Sequence, residues 1–406
     1  MDLSDLNVRV NEIIDDVARN GDHAIKKLTE KFDGIKLDNI KVTEEEIRTA
    51  CEGIPHKLKK AIDQSLSNIM RFHTSQTAEE KKIETVSGVN CWQRTMPIQK
   101  IGLYIPGGSA PLLSTVLMLG APARLAGCRE IILCTPPGKD GKVNDAILYI
   151  ASLLEIDKIF RVGGAQAIAA MAYGTETIPS VNKIFGPGNQ FVTAAKMLVS
   201  MDKVAIDMPA GPSEVAIIAD GSADPEFIAA DLLSQAEHGA DSQVLLFTFE
   251  ERIIEKVIAE IGKQLERLTR KDTAEASLKN SKIILLDNQD EIMEMVNMYA
   301  PEHLIIATKD TEVLANRVIN AGSVFLGNFT PESAGDYASG TNHTLPTDGW
   351  AHAYSGVNMD SFVRKITFQE ISREGLKNIS DTIITLAEAE GLDAHGNAVS
   401  VRINRK

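Results

Sequence analysis

The chain has 406 residues, of which 44% are apolar and 24% are charged, and its formal net charge is −14. This length accommodates roughly two to three domains, and the acidic balance disfavours nucleic acid or an anionic membrane as a partner, because both are bound mainly through lysine and arginine. No apolar run of about 18 residues could span a bilayer, and the chain does not begin with a secretory leader, so we expect a cytoplasmic protein that acts on a small molecule.

The residues before position 80 are predicted to be mainly helical. Apolar residues recur at helical spacing over three stretches, which are 8–20, 23–32 and 55–76. Thr43 and Glu46 have the spacing of a capping box, which predicts the start of a further helix.

From residue 83 the pattern changes to that of strands. Residues 83–104 alternate between apolar and polar side chains, with a turn at Gly88. After residue 113, short apolar strands alternate with helical stretches, and these strands cover 131–134, 158–162, 183–185, 215–219, 243–248, 282–286, 303–307 and 323–326. Such alternation is typical of parallel sheets covered on both faces, so the sequence predicts an α/β fold with two successive units.

The C-terminal part differs in character. Residues 338–354 form a loop rich in glycine, threonine and asparagine, and a helix is predicted over 376–390. The tail that follows, 392–406, is too short for a core of its own, so it must pack on the body of the chain or on a partner subunit.

All four cysteines lie in the first third of the chain and show no CxxC pairing: Cys51, Cys91, Cys128 and Cys134. This distribution indicates reduced thiols. Because Cys128 and Cys134 flank the apolar run 131–133, we expect them to be buried or half-buried at strand ends and not to act as nucleophiles.

One segment has the pattern of half a metal site. Asp224 is a predicted N-cap, Pro225 the first helical residue and Gly239 the stop signal. Gln235 and His238 therefore lie three residues apart in the last helical turn. The helix dipole favours a cation at that end, and an amide oxygen with an imidazole nitrogen can bind a divalent metal; the alternative is a solvated helix end.

Three glycine-rich junctions between a strand and a helix are candidates for phosphate binding. They are 107–108, 162–166 and 185–189. Such junctions bring backbone N–H groups close to a phosphate, which suits a dinucleotide, but none matches GxGxxG, and plain tight turns are the alternative. Gln166 and Asn189 follow two of these turns and would either contact the dinucleotide or cap the next helix.

Carboxylates and imidazoles occur together at three further places. Glu302 and His303 stand at a strand entrance. Neighbouring strand residues point to opposite faces, so both can serve one site only at an irregular corner or through a water. The other places are a turn-rich loop with Glu332, Asp336 and His343, and a C-terminal segment with Glu390 and His395. Each of these, taken singly, is also compatible with an ordinary surface or half-buried position.

Four runs together resemble the histidinol dehydrogenase family. They are YIPGGSAPLLSTVLM (104–118), IDMPAGPSEV (206–215), SQAEHG (234–239) and APEHL (300–304). The similarity extends from about Val8 to Arg402 and includes 321–327 and 333–343. The resemblance implies two incomplete Rossmann-like parallel-sheet domains, similar to those of aldehyde dehydrogenases, with a helical N-terminal segment and a small C-terminal tail domain.

On this basis we expect four parts. Residues 1–103 would form N-terminal helices and a hairpin that pack with the second α/β unit. Residues 104–212 would be the first Rossmann-like domain and 213–355 the second. Residues 356–406 would be a tail exchanged between the subunits of a homodimer.

For function, the resemblance implies a zinc- and NAD-dependent four-electron oxidation of L-histidinol to L-histidine through L-histidinaldehyde, in the last steps of histidine biosynthesis. The family pattern places one zinc ion per subunit on Gln235, His238, Asp336 and His395. Manganese or cobalt could also occupy such an oxygen and nitrogen set. The metal would position the imidazole and amino nitrogens of the substrate.

The resemblance also assigns roles to single residues. His303 matches the general base that takes the hydroxyl proton as hydride leaves, and Glu302 matches the residue that activates the water hydrating the aldehyde. The residues that match substrate contacts are Ser213, Gln235, His238, His303, Asp336, Glu390 and His395. Those that match dinucleotide contacts are Tyr104, Gln166 and Asn189. In a homodimer, the tail would carry Glu390 and His395 to the neighbouring subunit's site.

Three alternatives differ from this reading. A dehydrogenase of the same fold could act on another polyol or hydroxy acid, although the retained substrate contacts favour histidinol. A thiol-based aldehyde oxidation needs a nucleophilic cysteine, and none follows Cys134. A metal-binding dimer or scaffold without activity would need neither Glu302 nor His303.

Overall fold

The computed structural model describes residues 3–77, 79–107, 112–209 and 211–405. Contacts divide them into two units: unit 1 is drawn from the residues before 77 together with 98–362, and unit 2 from 77–97 together with the residues after 362. In the described ranges, no helix is long and apolar enough to cross a membrane.

The strands in chain order are β1 (Ile83–Val86), β2 (Val89–Pro97), β3 (Lys100–Tyr104), β4 (Glu130–Thr135), β5 (Lys158–Arg161), β6 (Lys183–Phe185), β7 (Ala205–Ile206), β8 (Glu214–Ala219), β9 (Gln243–Thr248), β10 (Lys282–Leu285), β11 (His303–Ala307), β12 (Ser323–Leu326) and β13 (Val363–Ile371).

The α-helices are α1 (Leu3–Asp33), α2 (Glu44–Gly53), α3 (His56–Thr74), α4 (Leu113–Leu125), α5 (Asp145–Leu153), α6 (Gly164–Tyr173), α7 (Gln190–Ser200), α8 (Pro225–Ala236), α9 (Glu251–Leu265), α10 (Lys271–Leu278), α11 (Gln289–Tyr299), α12 (Thr311–Ala315), α13 (Glu332–Tyr337), α14 (Arg373–Ala389) and α15 (Asp393–Ile403). Two 3₁₀ turns cover Trp350–His352 and Met359–Phe362.

Unit 1 contains two five-stranded parallel sheets. Sheet 1 has the order β5-β4-β3-β6-β7, and sheet 2 has the order β10-β9-β8-β11-β12. In each sheet the chain starts at the central strand, moves outwards to one edge and then continues on the other side. A switch point therefore lies between β3 and β6 and another between β8 and β11, and the carboxyl ends of strands at such points border a crevice.

The predicted α/β class is confirmed, together with the eight strands predicted from residue 131 onwards. Each of these strands lies within one residue of its predicted ends. The central strands are apolar runs because helices cover both of their faces. Every residue of β8 is buried, and Ile101 and Leu103 of β3 have no exposed surface.

The N-terminal helices pack on the helices of sheet 1. Helix α1 contacts α6 and α7, α2 contacts α5, and α3 contacts α4. The apolar faces of these helices extend the cores of sheet 1. The packing of residues 1–103 with the second α/β unit stays a prediction. Gly21, with φ of 50°, breaks α1 between the two helices predicted there. The predicted capping box of Thr43 and Glu46 is present.

The predicted burial of two cysteines is confirmed. Cys128 and Cys134 are both buried in the core of sheet 1. Burial raises the pKa of Cys128 to about 11 and also raises the pKa of Cys134. Both thiols are therefore protonated at neutral pH and do not act as nucleophiles.

Unit 2 is an antiparallel sheet with two helices. The strand order is β1-β2-β13, and β13 pairs with β2 from Val363 opposite Pro97 to Ile371 opposite Val89. Helices α14 and α15 pack against each other. The sequence predicted α14 but neither β13 nor the helix within the tail.

We expect Leu103→Ala to lower the free energy of unfolding by about 2–5 kcal/mol, because it leaves a cavity in the middle of sheet 1. Val8 on α1 is 59% exposed, so Val8→Ala is the control and should change stability by less than about 0.5 kcal/mol. Chemical denaturation measures both variants, and equal effects would contradict the burial of β3.

Candidate active site

One pocket of unit 1 brings together seven residues that the sequence singled out. They are Ser213, Gln235, His238, Glu302, His303, Asp336 and His343. Strands β8, β9 and β11 begin beside this pocket, so it lies at the amino edge of sheet 2. Gly186, Lys196 and Asp207, which belong to the segments around the carboxyl end of β6, also line it. The pocket is thus formed by two different sheets.

A sharp corner before β11 lets two adjacent residues face the same pocket. Helix α11 is capped by Ala300 in a left-handed conformation with φ of 53°, and Pro301 follows. Glu302 then lies in a bend, and β11 begins at His303. Gly322 packs so closely that a Cβ there would collide with the carbonyl oxygen of Glu302. This is the irregular geometry that neighbouring residues need to serve one site.

Among the described residues, one ring nitrogen of His303 lies beside a backbone carbonyl and the other has no hydrogen-bond partner. Nδ1 lies 3.2 Å from the carbonyl oxygen of Glu214, which can only accept, so Nδ1 carries the proton. Nε2 is buried, has no hydrogen-bond partner among the described residues, and lies 3.9 Å from Asp336 Oδ1. Burial lowers the pKa of His303 to about 4, while Asp336 opposes that shift. The ring is therefore neutral, with a free lone pair on Nε2.

Glu302 is a buried carboxyl with few compensating contacts. Its Oε2 accepts the backbone N–H of Glu214 at 2.9 Å and the amide of Gln235 at 3.3 Å. Burial raises the pKa of Glu302 well above its ordinary value, and the nearby carboxyls of Glu214 and Asp336 raise it further. In its ionised form such a group is a stronger base than an ordinary glutamate.

Candidate metal ligands gather just beyond α8. Ligand atoms of His238, Glu332 and Asp336 all lie within 4.8 Å of one another. The helix ends at Ala236, before the predicted stop, but the His238 N–H donates to the carbonyl oxygen of Gln235 at 3.2 Å. This turn keeps His238 close to Gln235 although His238 is no longer helical.

The charges of this cluster favour a cation. Burial acts to raise the pKa of Asp336, but the hydrogen bond and charge of His343, with the fields of His303 and His238, hold it below its ordinary value. Burial raises the pKa of Glu332 well above its ordinary value, and Glu332 Oε2 has no partner among the described residues. His238 as a whole residue is exposed to solvent. Its imidazole is nevertheless partly desolvated by surrounding protein atoms, and this lowers its pKa.

This donor set fits zinc. It offers an imidazole, an ionised carboxylate and the amide oxygen of Gln235, whose Nε2 is already used by Glu302. Glu332 adds a second, buried carboxyl group, whose role could not be predicted because a turn-rich loop gives no signal of burial. A bound cation would satisfy its unpartnered oxygen.

The loop after α13 is held by the N-terminal part of the chain. His343 Nδ1 lies 3.6 Å from Asp336 Oδ1, and His343 Nε2 lies 3.4 Å from Thr115 Oγ1. The preceding residue, Asn342, is buried and faces the fully buried His73 at 3.5 Å. Helix α3 makes two further bonds to this region: Ser65 Oγ to the Tyr337 carbonyl at 2.5 Å, and Asn68 Nδ2 to the Ala338 carbonyl at 2.7 Å.

Glu214 connects the pocket residues but was not predicted as a site residue. Its backbone N–H donates to Glu302 and its carbonyl oxygen faces His303. Its side-chain Oε1 accepts the N–H of Asp348 at 2.9 Å. Burial raises the pKa of Glu214 to about 7. The sequence signal was weak, since a glutamate before an apolar strand is ordinary.

The three predicted dinucleotide contacts lie at the carboxyl edge of sheet 1. Tyr104 ends β3, is buried, and its hydroxyl oxygen accepts the N–H of Gly164 at 3.1 Å. Gln166 is buried in the first turn of α6. Asn189 Oδ1 accepts two backbone N–H groups at the start of α7, which is the capping role considered as an alternative. Dinucleotide contact by these residues stays a prediction.

Glu390 and His395 belong to unit 2. Glu390 caps the C-terminal end of α14, and His395 lies in the first turn of α15. Both residues are exposed in the single chain.

Comparison with known proteins agrees with this architecture. The family model of histidinol dehydrogenase matches residues 1–403. Histidinol dehydrogenase of Bacteroides fragilis (strain YCH46) is 59% identical over 394 residues, covering 97% of this chain and 92% of the relative. The crystal structure of histidinol dehydrogenase from Elizabethkingia anophelis is similar with a TM-score of 0.96 at 54% identity, over 99% of this chain and 92% of that one. Betaine aldehyde dehydrogenase from Staphylococcus aureus has a TM-score of 0.50 at 11% identity, covering 90% of this chain and 83% of that one, and shares the fold only.

The two parallel sheets place the protein in the class of aldehyde-dehydrogenase-like α/β folds. Within that class, the chain belongs to the histidinol dehydrogenase family. The resemblance inferred from the four sequence runs is confirmed.

The raised pKa of Glu214 predicts a pH-dependent contribution to stability. In the unfolded chain the pKa is about 4.5, and in the fold it is about 7, so the fold favours the protonated form. This contribution is present below pH 4.5 and is lost as pH rises through 7, and it amounts to at most about 3 kcal/mol.

Between pH 4.5 and 8, we expect the free energy of unfolding of the metal-free, unsubstituted protein to fall by about 3 kcal/mol more than that of metal-free Glu214→Gln protein. Glutamine keeps the acceptor for Asp348 but cannot ionise. Chemical denaturation across this range measures the difference, with Glu312→Gln on the exposed face of α12 as the control. Parallel profiles for all three proteins would contradict the burial of an ionisable Glu214.

Proposed function

We propose that this protein oxidises L-histidinol to L-histidine through L-histidinaldehyde, with NAD as the electron acceptor and one zinc ion per subunit, in the last steps of histidine biosynthesis. The observation that supports this most directly is that one pocket holds a neutral imidazole with a free nitrogen and a buried carboxyl of raised pKa, beside ligands suited to zinc. The substrate is inferred from the names of the relatives.

Gln235, His238, Asp336 and His395 would hold the zinc ion, which would supply a binding point for the imidazole and amino nitrogens of the substrate, and NAD would supply the hydride acceptor for each oxidation. Ser213 and Glu390 hold the substrate. Tyr104, Gln166 and Asn189 contact the dinucleotide, and their position at the carboxyl edge of sheet 1 supports this role, because dinucleotides bind at such edges.

His303 takes the hydroxyl proton in the first oxidation. As the alcohol carbon loses its hydride, the O–H bond must lose its proton, and His303 Nε2 has the lone pair to accept it. The imidazolium formed lies 3.9 Å from the Asp336 carboxylate, which offsets part of the cost of charging a buried ring. Because burial keeps the pKa of His303 low, the ring gives up the proton again readily.

Glu302 activates water for the second oxidation. An aldehyde has no hydroxyl, so a second hydride can leave only after water has added to the carbonyl carbon and formed the hydrate. The carboxylate of Glu302 accepts a proton from that water, and its raised pKa makes it an effective base. In balance, the alcohol, one water and two NAD⁺ give the carboxylate, two NADH and three protons.

The protein acts as a homodimer in this proposal. Residues 356–406 would be exchanged, so that Glu390 and His395 complete the site of the neighbouring subunit, while 104–212 and 213–355 form the two Rossmann-like domains. The exposure of Glu390 and His395 in the single chain supports this arrangement, because a ligand and a substrate contact need a partner surface.

The function is tested by NADH absorbance with L-histidinol as substrate. Zinc-loaded protein should form two NADH per histidinol, chelator-stripped protein should form none, and added Zn²⁺ should restore the signal. Elemental analysis should find one zinc ion per subunit before stripping. A folded, zinc-loaded protein that leaves histidinol unchanged would refute the proposed substrate.

Glu302→Gln and His303→Asn should separate the two oxidations. We expect His303→Asn to slow the first NADH by about 10²–10⁴-fold, since it removes the proton acceptor. Glu302→Gln should slow the second NADH by about 10²-fold or more while the first changes much less, because the amide cannot take a proton from water. Single-turnover absorbance measures both phases, and Glu294→Gln on the exposed face of α11 is the control. Equal slowing of both phases by Glu302→Gln would contradict its assignment to water.

A further inference from the structure

A buried ion pair at the pocket wall has no part in the chemistry described above. Lys196 Nζ lies 2.5 Å from Asp207 Oδ1, and only 4% of the lysine side chain and 1% of the aspartate side chain are exposed. Lys196 is on α7 and Asp207 directly follows β7. Both residues line the pocket. Taking two charges out of water is costly, and the cost is offset only when the pair has good geometry and makes further hydrogen bonds.

The pair holds one residue, Gly186, by both of its backbone groups. Lys196 Nζ donates to the Gly186 carbonyl oxygen at 2.8 Å, and the Gly186 N–H donates to Asp207 Oδ2 at 2.8 Å. Asp207 Oδ1 also accepts the N–H of Met208 at 2.8 Å. The cation and the anion thus hold opposite sides of a single peptide segment.

Gly186 occupies a position that only glycine tolerates. Its φ is 126°, and a Cβ there would collide with the carbonyl oxygen of Tyr104. Tyr104 ends β3 and Gly186 follows β6, so their contact lies at the switch point of sheet 1. Three residues later, Asn189 caps α7. The orientation of this turn therefore sets where the first N–H groups of α7 point.

We propose that Lys196 and Asp207 are positioning residues for the dinucleotide: they lock the turn at 186–189 in the conformation that receives it. This inference rests on the proposed function, in which Asn189 contacts NAD. A free glycine turn would sample many conformations, and the dinucleotide would have to order it on binding. The ion pair orders the turn in advance, so its loss should weaken dinucleotide binding more than substrate binding.

The test compares dissociation constants for NADH, measured by fluorescence titration, in Lys196→Met and Asp207→Asn. Both variants should bind NADH at least tenfold more weakly, while the KM for histidinol changes less than twofold. The matched control is Lys183→Met, since Lys183 lies on β6 and donates to the Ser361 carbonyl at 2.9 Å without contacting Gly186. The control should bind NADH within twofold of the unsubstituted protein.

The double variant Lys196→Met with Asp207→Asn separates positioning from stability. Removing one charge leaves the other buried and unpaired, which lowers the melting temperature, whereas removing both relieves that penalty. Positioning predicts that the double variant recovers the melting temperature but still binds NADH weakly. A merely structural role predicts that both recover together.

NADH dissociation constants within twofold of the Lys183→Met value, in folded Asp207→Asn protein, would overturn the inference. Asp207→Asn keeps the shape of the side chain, so this variant alone tests the positioning role even if Lys196→Met does not fold. Failure of the proposed function would give a different result, because the unsubstituted protein would bind NADH but form none from histidinol. The NADH titrations would then still test the role of the ion pair. Unsubstituted protein that binds no NADH would overturn both.

Discussion

Unit 1 buries five acidic side chains around one pocket, and backbone N–H groups donate to three of them, which are Asp207, Glu214 and Glu302. An unpaired carboxylate in a dry interior costs several kcal/mol, so each one must find donors or stay protonated. The first residues of parallel strands have N–H groups that are not used within the sheet, and the amino edge of sheet 2 offers these to the pocket. Glu302 accepts such a group from Glu214, the first residue of β8. Glu214 in turn accepts the N–H of Asp348, which lies in the loop after α13. Asp336 instead faces the imidazoles of His303 and His343, which keep its pKa low, so it is the ionised carboxylate of the group.

This solvation explains why the reactive groups lie where they do. Open α/β sheets usually bind ligands at the carboxyl ends of their strands, and sheet 1 presents such an edge to the pocket through Gly186. The groups suited to proton transfer and metal binding come from the opposite end of sheet 2. A cofactor at one edge and a substrate at the other would meet between the sheets, so neither sheet alone forms the site.

Local sequence signals predicted much of this arrangement. The parallel strands were predictable because both faces of each are covered, which leaves a continuous apolar run that needs no knowledge of the rest of the chain. The turn of Gln235 and His238 was predictable from helix signals, although the helix ends three residues before Gly239. For Glu302 and His303 the sequence indicated only that an irregular corner was needed, and Ala300 in the left-handed conformation forms it.

Features that depend on distant parts of the chain were not predictable in this way. β13 is half-exposed and charged, and it becomes a strand by pairing with β2, which lies more than 260 residues earlier. Glu332 has the local setting of a surface glutamate, and its burial follows from the packing of α13 against α8, which also brings His238 beside it. Nothing in the sequence around Lys196 or Asp207 indicates that the two residues form an ion pair. The sequence resemblance supplied the residue roles that local signals left undecided.

The bonds from α3 to the loop after α13 have a consequence for synthesis of the protein. Ser65 and Tyr337 are separated by 272 residues, and Asn68 and Ala338 by 270. Contacts of such separation form late, because a long loop must close before they stabilise anything. A nascent chain that has emerged only as far as residue 238 has His238 but lacks both carboxylates of the cluster. The three groups that could ligate a metal ion therefore come together only after most of the chain has left the ribosome.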